Sequence, residues 1–238
     1  MKGPSPALVI FDLSAAVSGY TEGMLTAIVS ALRRHGFSVE PELASVAMGY
    51  PAFVAVERLL HWLSPDDQLD SDQMDAIFQT YLKEHLRYLR FSPGLTIAPG
   101  FTRTCERLQS AGVWTAIGTT AEREVLGVLF DRVGWCDGPP VDAWVCAGDI
   151  EDVRPGPGMV RTLMQTFDVE SPENVVKVGD TPLDIEEGHN AGCGWSMLLD
   201  NGWLDALSIE SCRPRAILEF VDDLLAYLPI RFHQAVRN

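Results

Sequence analysis

Four short stretches carry side chains whose type and position could do chemistry together. Asp12 ends the apolar run Ala7–Phe11, and Ser14 follows two residues later. Thr119 and Thr120 close a second run, Trp114–Gly118, while Asp180 follows a third, Val175–Val178, with Asp184 one helical turn beyond. Arg154 stands in VRPGPGMV. A carboxylate such as Asp12, delivered at a strand end, can attack phosphorus and so split one difficult displacement into two easier ones. Two anions then approach each other and a cation is needed, for which Mg²⁺ suits a carboxylate-lined pocket because it keeps several of its own waters. A Thr119 hydroxyl beside backbone N–H groups suits a phosphoryl oxygen, and the permanent charge of Arg154 suits the charge that develops in phosphoryl transfer. Thr119 equally fits an N-cap for the helical pattern Arg123–Val133. Asp184 fits both a metal-site role and a first-turn acid that complements a helix dipole.

The elements that must position these groups are legible as pattern. Five segments look like short buried strands: Ala7–Phe11, Trp114–Gly118, Ala143–Ala147, Val175–Val178 and Trp195–Leu199. Helical patterns lie between most of them, at Thr102–Ser110, Arg123–Val133, Gly158–Phe167 and Leu183–Asn190. The alternation predicts an α/β fold with a doubly wound parallel sheet and right-handed crossovers. Ligands of such sheets bind outside the carboxyl ends of the strands, where Asp12, Thr119-Thr120, Gly148-Asp149 and Gly179-Asp180 fall.

Residues 18–92 read differently. Tyr20–His35, Pro51–Leu63 and Asp72–Leu89 each carry an apolar stripe at helical spacing, with breaks at Gly36, Gly49-Tyr50-Pro51 and Ser64-Pro65-Asp66. The pattern predicts a helical domain over residues 18–92, inserted after the first strand of a core domain made of residues 1–17 and 93–238.

Bulk composition narrows the partners. The 238 residues are 47% hydrophobic and 21% charged with no low-complexity block, which is globular composition throughout. A net charge of -15, from 18 Lys+Arg against 33 Asp+Glu, argues against nucleic-acid or anionic-membrane partners and leaves a small phosphorylated ligand open. Five cysteines without a CxxC pair favour reduced thiols, and no signal-type segment or long apolar run is present, so a soluble cytoplasmic protein is expected. His61, His85 and His189 read as surface or packing residues.

Taken in order, VIFDLS, AIGTTAERE, VRPGPGMV and VVKVGDTPLDIEEGHNAG resemble the motifs of the haloacid dehalogenase-like hydrolases, with residues 18–92 where many members carry a helical cap. Within that superfamily the last segment and the Arg-Pro step are most similar to the phosphonoacetaldehyde hydrolase branch. The resemblance implies a Rossmann-like core, Asp12 as nucleophile, and Thr119 and Arg154 as catalytic contacts to the phosphoryl group. It implies Mg²⁺ held by Asp12, Asp180 and the backbone carbonyl of Ser14, with Asp184 at the metal site. Ser14, Thr120, Met48 and Gly49 are the expected substrate contacts, and substrate choice would be set by the cap around Tyr20 and Met48–Phe53. Caps often mediate dimers in this superfamily, so a homodimer through the cap is the oligomer to test.

Two positions depart from the pattern. Phosphatases of the superfamily carry Asp two residues after the nucleophile, where it protonates the leaving alcohol; here the residue is Ser14. Acid–base help of this kind contributes about 10²–10⁴-fold. The phosphonoacetaldehyde hydrolases replace it with a cap lysine that forms a Schiff base, and the matching position in MGYPAFVAVERLL is Ala52. Of the three lysines, Lys2 lies in the terminal arm and Lys177 in a core strand. Lys83 falls off the apolar stripe of its helix and is expected on the solvent side. The sequence therefore points to a Mg²⁺-dependent hydrolase of a small phosphorylated metabolite working through an aspartyl phosphate, not to phosphonoacetaldehyde hydrolysis. The alternative is a protein that binds a phosphorylated ligand without turning it over.

Overall fold

The computed structural model describes residues 5–65, 70–202 and 204–230; Lys2 and Asp66 lie outside them. The chain runs β1 (Leu8–Phe11), α1 (Leu13–Ala16) and β2 (Val17–Ser18), then four helices, α2 (Tyr20–Arg34), α3 (Pro41–Ser45), α4 (Ala52–Leu63) and α5 (Ser71–Phe91). It returns through β3 (Thr96–Ile97), α6 (Phe101–Ser110), β4 (Trp114–Thr119), α7 (Arg123–Val133), β5 (Ala143–Cys146) and α8 (Gly158–Thr166). It ends with β6 (Val175–Gly179), α9 (Pro182–Ala191), β7 (Trp195–Leu199), α10 (Ala206–Cys212), β8 (Ala216–Leu218) and α11 (Leu224–Tyr227).

Six strands form one parallel sheet in the order β5-β4-β1-β6-β7-β8. This is the doubly wound, Rossmann-like arrangement, and its topological switch point lies beside β1, whose neighbours are β4 and β6. All four residues of β1 are buried, because helices cover both faces of the sheet. Leu8 and Ile10 pack with Met159, Val160 and Leu163 of α8, while Val9 and Phe11 pack with Phe101, Cys105 and Leu108 of α6. Each such side chain contributes about 1.5–3 kcal/mol of burial, so the strand that ends at Asp12 is held firmly from both sides.

Helices α2, α4 and α5 gather a core of their own, with Ile28, Leu32, Val56, Leu59, Ile77 and Tyr81 buried together. Where this helical insert leaves and rejoins the sheet, β2 and β3 pair antiparallel, Val17 opposite Ile97 and Ser18 opposite Thr96. The two crossings are thus clamped side by side.

The expected strands and helices are present with shifts of one or two residues at their ends. A sixth sheet strand, β8, was not expected: its three residues alternate buried and exposed at the sheet edge, too short a run to show a pattern. The ribbon β2–β3 and the helix α3 were likewise unforeseen. His61 and His189 are exposed, and His85 is buried with its Nδ1 2.9 Å from the Tyr81 hydroxyl, a packing role as expected.

Candidate active site

The switch point brings the sequence motifs together at the carboxyl ends of β1, β4 and β6. Asp12 is the N-cap of α1 in extended conformation. Its Oδ2 accepts from the backbone N–H of Ser14 at 2.9 Å and from the Ser14 hydroxyl at 2.7 Å, and its Oδ1 accepts from Arg154 Nη1 at 2.8 Å. Burial pushes the carboxyl up, but Arg154, Lys177 and the Ser14 hydrogen bonds outweigh burial and hold it at about 2. Asp12 is therefore an anion throughout the neutral range.

Asp180 has the opposite character. Burial, reinforced by the charges of Asp12 and Asp184, pushes it up to about 7 despite hydrogen bonds from Ser14 and Thr21. Thr21 and Asn201 donate to its Oδ2 at 2.9 and 2.7 Å. Its Oδ1 lies 2.7 Å from the Ser14 hydroxyl, so that hydroxyl stands between the two carboxylates at equal distances. Ser14 has a single hydroxyl proton. With Asp180 protonated, Asp180 donates to Ser14 and Ser14 donates to Asp12, which satisfies both short contacts.

Behind these groups lies a buried ionic cluster. Arg154 reaches Asp184 Oδ1 at 3.0 Å and Glu187 Oε2 at 3.1 Å, and donates to the carbonyl of Gly118 at 3.1 Å. Lys177 Nζ meets Asp184 Oδ1 at 2.9 Å and Glu187 Oε2 at 3.0 Å. Burial opposes both positive charges, yet Asp184, Glu187 and Asp12 more than offset it, so both side chains stay protonated. Asp184 Oδ2 closes a capping box on α9, accepting from Thr181 N–H at 3.2 Å and Thr181 O–H at 2.7 Å. The box needs Gly179: a Cβ there would lie 2.0 Å from Asp184 Cγ.

The cluster bears on the metal. Asp12, Asp180 and Asp184 each offer an oxygen, all within 4.8 Å of one another. Asp184 is already engaged by Thr181, Lys177 and Arg154, whereas Asp12 and Asp180 face each other across a hydroxyl. With Asp180 ionised, Asp12, Asp180, Asp184 and Glu187 meet two cations, and a divalent cation that displaces the Asp180 proton balances the remaining two negative charges. The all-oxygen donor set and the charge deficit fit Mg²⁺.

A small pocket opens above Asp12, lined by Tyr20, Thr21, Met24, Met48, Gly49, Thr119, Thr120, Arg154, Asp180 and Thr181. Of the residues named from sequence, Asp12, Thr119, Thr120, Arg154, Met48, Gly49 and Asp180 meet there; Ser14 lies below it and Asp184 is wholly buried behind it. Thr119 does not cap α7, whose N-cap is Glu122. Its Oγ1 accepts from Ala121 N–H at 3.1 Å, because β4 ends one turn before the helix begins. Gly49, at φ +96°, brings the insert against the sheet: a Cβ would lie 2.6 Å from Thr181 Oγ1.

Sequence reasoning missed Lys177, Glu187 and Glu122. A lysine inside the otherwise apolar VVKVG, and Glu187 three residues after Asp184 on one helix face, were the available signals for the first two. Glu122 gave none; its Oε2 is buried without a hydrogen-bond partner, and burial pushes the carboxyl up to about 7.

A phosphonoacetaldehyde hydrolase from Latilactobacillus sakei is 25% identical over 210 residues, covering 84% of this chain and 78% of that protein. Among solved structures, a predicted phosphoglycolate phosphatase from Haemophilus somnus superposes with a TM-score of 0.77 at 21% identity, covering 93% of this chain and 97% of the other. A phosphonoacetaldehyde hydrolase-like protein from Oleispira antarctica gives 0.77 at 19% identity, covering 94% and 91%. At these identities the superpositions establish the fold. Residues 9–197, which hold every motif at the strand ends, match the family described as haloacid dehalogenase-like hydrolase, and the chain belongs to that family.

Proposed function

We propose that this chain is a Mg²⁺-dependent hydrolase of small phosphorylated compounds that carries the phosphoryl group transiently on Asp12, with residues 18–92 acting as a cap. The observation that carries this reading is the ionised Asp12 at the floor of a pocket it shares with Arg154, Thr119 and Thr120. An Asp12 carboxylate oxygen attacks phosphorus, and the leaving oxygen departs with the electrons of its bond. Water then attacks the same phosphorus, releasing Asp12 and inorganic phosphate. Arg154 stabilises the charge on the transferring group, and the Thr119 and Thr120 hydroxyls orient its oxygens. Mg²⁺, held by Asp12, Asp180 and the Ser14 carbonyl, would neutralise the repulsion between nucleophile and phosphoryl group.

Asp184 lies at the metal site with Asp12 and Asp180. Its contacts to Arg154, Lys177 and Thr181 also make it a brace for Arg154 and for the Asp180 turn. Ser14 supplies no acid, since its hydroxyl is committed between Asp12 and Asp180. The substrates are accordingly those whose leaving group needs little protonation, such as acyl phosphates or activated esters.

The activity named for the curated relatives does not carry over. Schiff-base chemistry on an aldehyde needs a neutral amine in the pocket. Ala52 occupies the matching position, Lys83 is exposed on α5, and Lys177 is fixed as an ammonium between two carboxylates. Wild-type protein with Mg²⁺ should hydrolyse acetyl phosphate or p-nitrophenyl phosphate, and Asp12→Asn or chelation by EDTA should abolish it. Undiminished turnover in Asp12→Asn overturns the proposal, and binding of phosphate without any turnover favours the ligand-binding alternative.

A further inference from the structure

The room above Asp12 is about 20 Å³, space for roughly one water, so the organic part of any substrate must lie elsewhere. A cavity of about 570 Å³ adjoins it between the helical insert and the segment after β7, and the two share Thr21, Met48, Asp180 and Thr181. Its walls include Leu25, Met48, Leu183 and Leu204, and beyond Asp180 its charged side chains are Glu42 and Asp205. No Lys, Arg or His is among the described lining residues. Arg58 is not among them; its guanidinium stacks 4.5 Å over the ring of Tyr50. Asp205 caps α10, and hydrogen bonding to the Ser208 N–H holds its carboxyl below the usual range, so the charge is fixed.

From this lining we infer the substrate class: phosphate compounds whose organic group is partly apolar and carries no second negative charge, being neutral or cationic, seated in the cavity while the phosphoryl group faces Asp12. The inference rests on the hydrolase reading above. An organic group bearing a carboxylate or a second phosphate would be repelled by Glu42 and Asp205 at the exposed rim of the cavity, with no cation in the lining to offset them, and seating it against Leu25, Met48 and Leu183 would remove part of its water as well. A neutral chain gains from the apolar walls, and an ammonium gains from both carboxylates.

The test separates the substrate class from catalysis. Asp12→Asn protein with Mg²⁺ is titrated calorimetrically with n-butyl phosphate, phosphoethanolamine and 2-phosphoglycolate, and the first two should bind about tenfold or more tighter than the third. Ser45→Arg, which sets a cation in the cavity wall, and Glu42→Gln should each narrow that ratio. Equal or tighter binding of 2-phosphoglycolate, or a ratio that neither substitution moves, overturns the inference. Wild-type turnover of acetyl phosphate, whose leaving group needs no acid, reports on the hydrolase reading. Such turnover without the expected order of binding sinks the substrate class and leaves the hydrolase standing. The expected order of binding without any turnover does the reverse, and absence of both binding and turnover sinks both.

Discussion

At the scale of single residues, Ser14 decides which leaving groups the site can expel. A carboxylate at position 14 cannot occupy the hydroxyl's place between Asp12 and Asp180, because three acids would then crowd one point. Its side chain turns toward the pocket instead, where it can protonate a departing oxygen. Ser14→Asp should therefore raise kcat on an alkyl phosphate, by up to about 10²–10⁴-fold, and leave kcat on acetyl phosphate nearly unchanged. Glu122 bears on stability rather than rate. Its carboxyl is raised from 4.5 to about 7 by burial, so the unfolded chain releases that proton first and folding weakens as pH rises from about 4.5 through 7. Glu122→Gln keeps the neutral form. It should stabilise the protein by up to about 3 kcal/mol at pH 8, with the gain vanishing near pH 4.5, as read by urea unfolding at both pH values.

At the scale of elements, β6 and α9 act as one unit through Lys177, Asp184 and Glu187, and that unit holds Arg154 against Asp12. Removing one member of a buried ionic cluster leaves its partners uncompensated, which costs more than the pair itself contributes. Lys177→Met should destabilise by about 3–5 kcal/mol in urea unfolding. Adding Glu187→Gln should recover part of that loss, because it removes one of the two carboxylates that then share Arg154 after losing Lys177.

At the scale of the whole molecule, the insert has a core of its own, adds Tyr20 and Leu89 to the sheet's core, and meets the sheet over the site through Met48, Gly49 and Thr120, whose hydroxyl lies 3.4 Å from the Tyr50 carbonyl. The space above Asp12 holds no more than about a water, so under the proposed function the insert shifts outward to admit a phosphoryl group and settles back around it for the chemistry. Gly49→Ala tests the return. A Cβ 2.6 Å from Thr181 Oγ1 wedges the insert away from the sheet, at a backbone angle that already disfavours alanine. The expected outcome is a loss of kcat of tenfold or so, through misplacement of reacting groups, with far-UV circular dichroism and Tm close to wild type because neither core is touched.

The sequence alone determined the parallel sheet, the helical insert, and Asp12, Thr119 and Asp180 at the strand ends, because apolar runs broken by single polar residues are a local signal that survives without coordinates; Arg154, in the loop after β5, was legible only through the family resemblance. It also exposed the two missing groups at Ser14 and Ala52. It could not determine that the Ser14 hydroxyl joins two carboxylates, that Asp184 also contacts Arg154, Lys177 and Thr181, or that a core-strand lysine belongs to the site. Nor could it show the acidic, apolar cavity that bounds the substrate. Those facts depend on side chains from segments far apart in the chain meeting at angstrom distances in a low-dielectric interior, and only the tertiary structure fixes such distances.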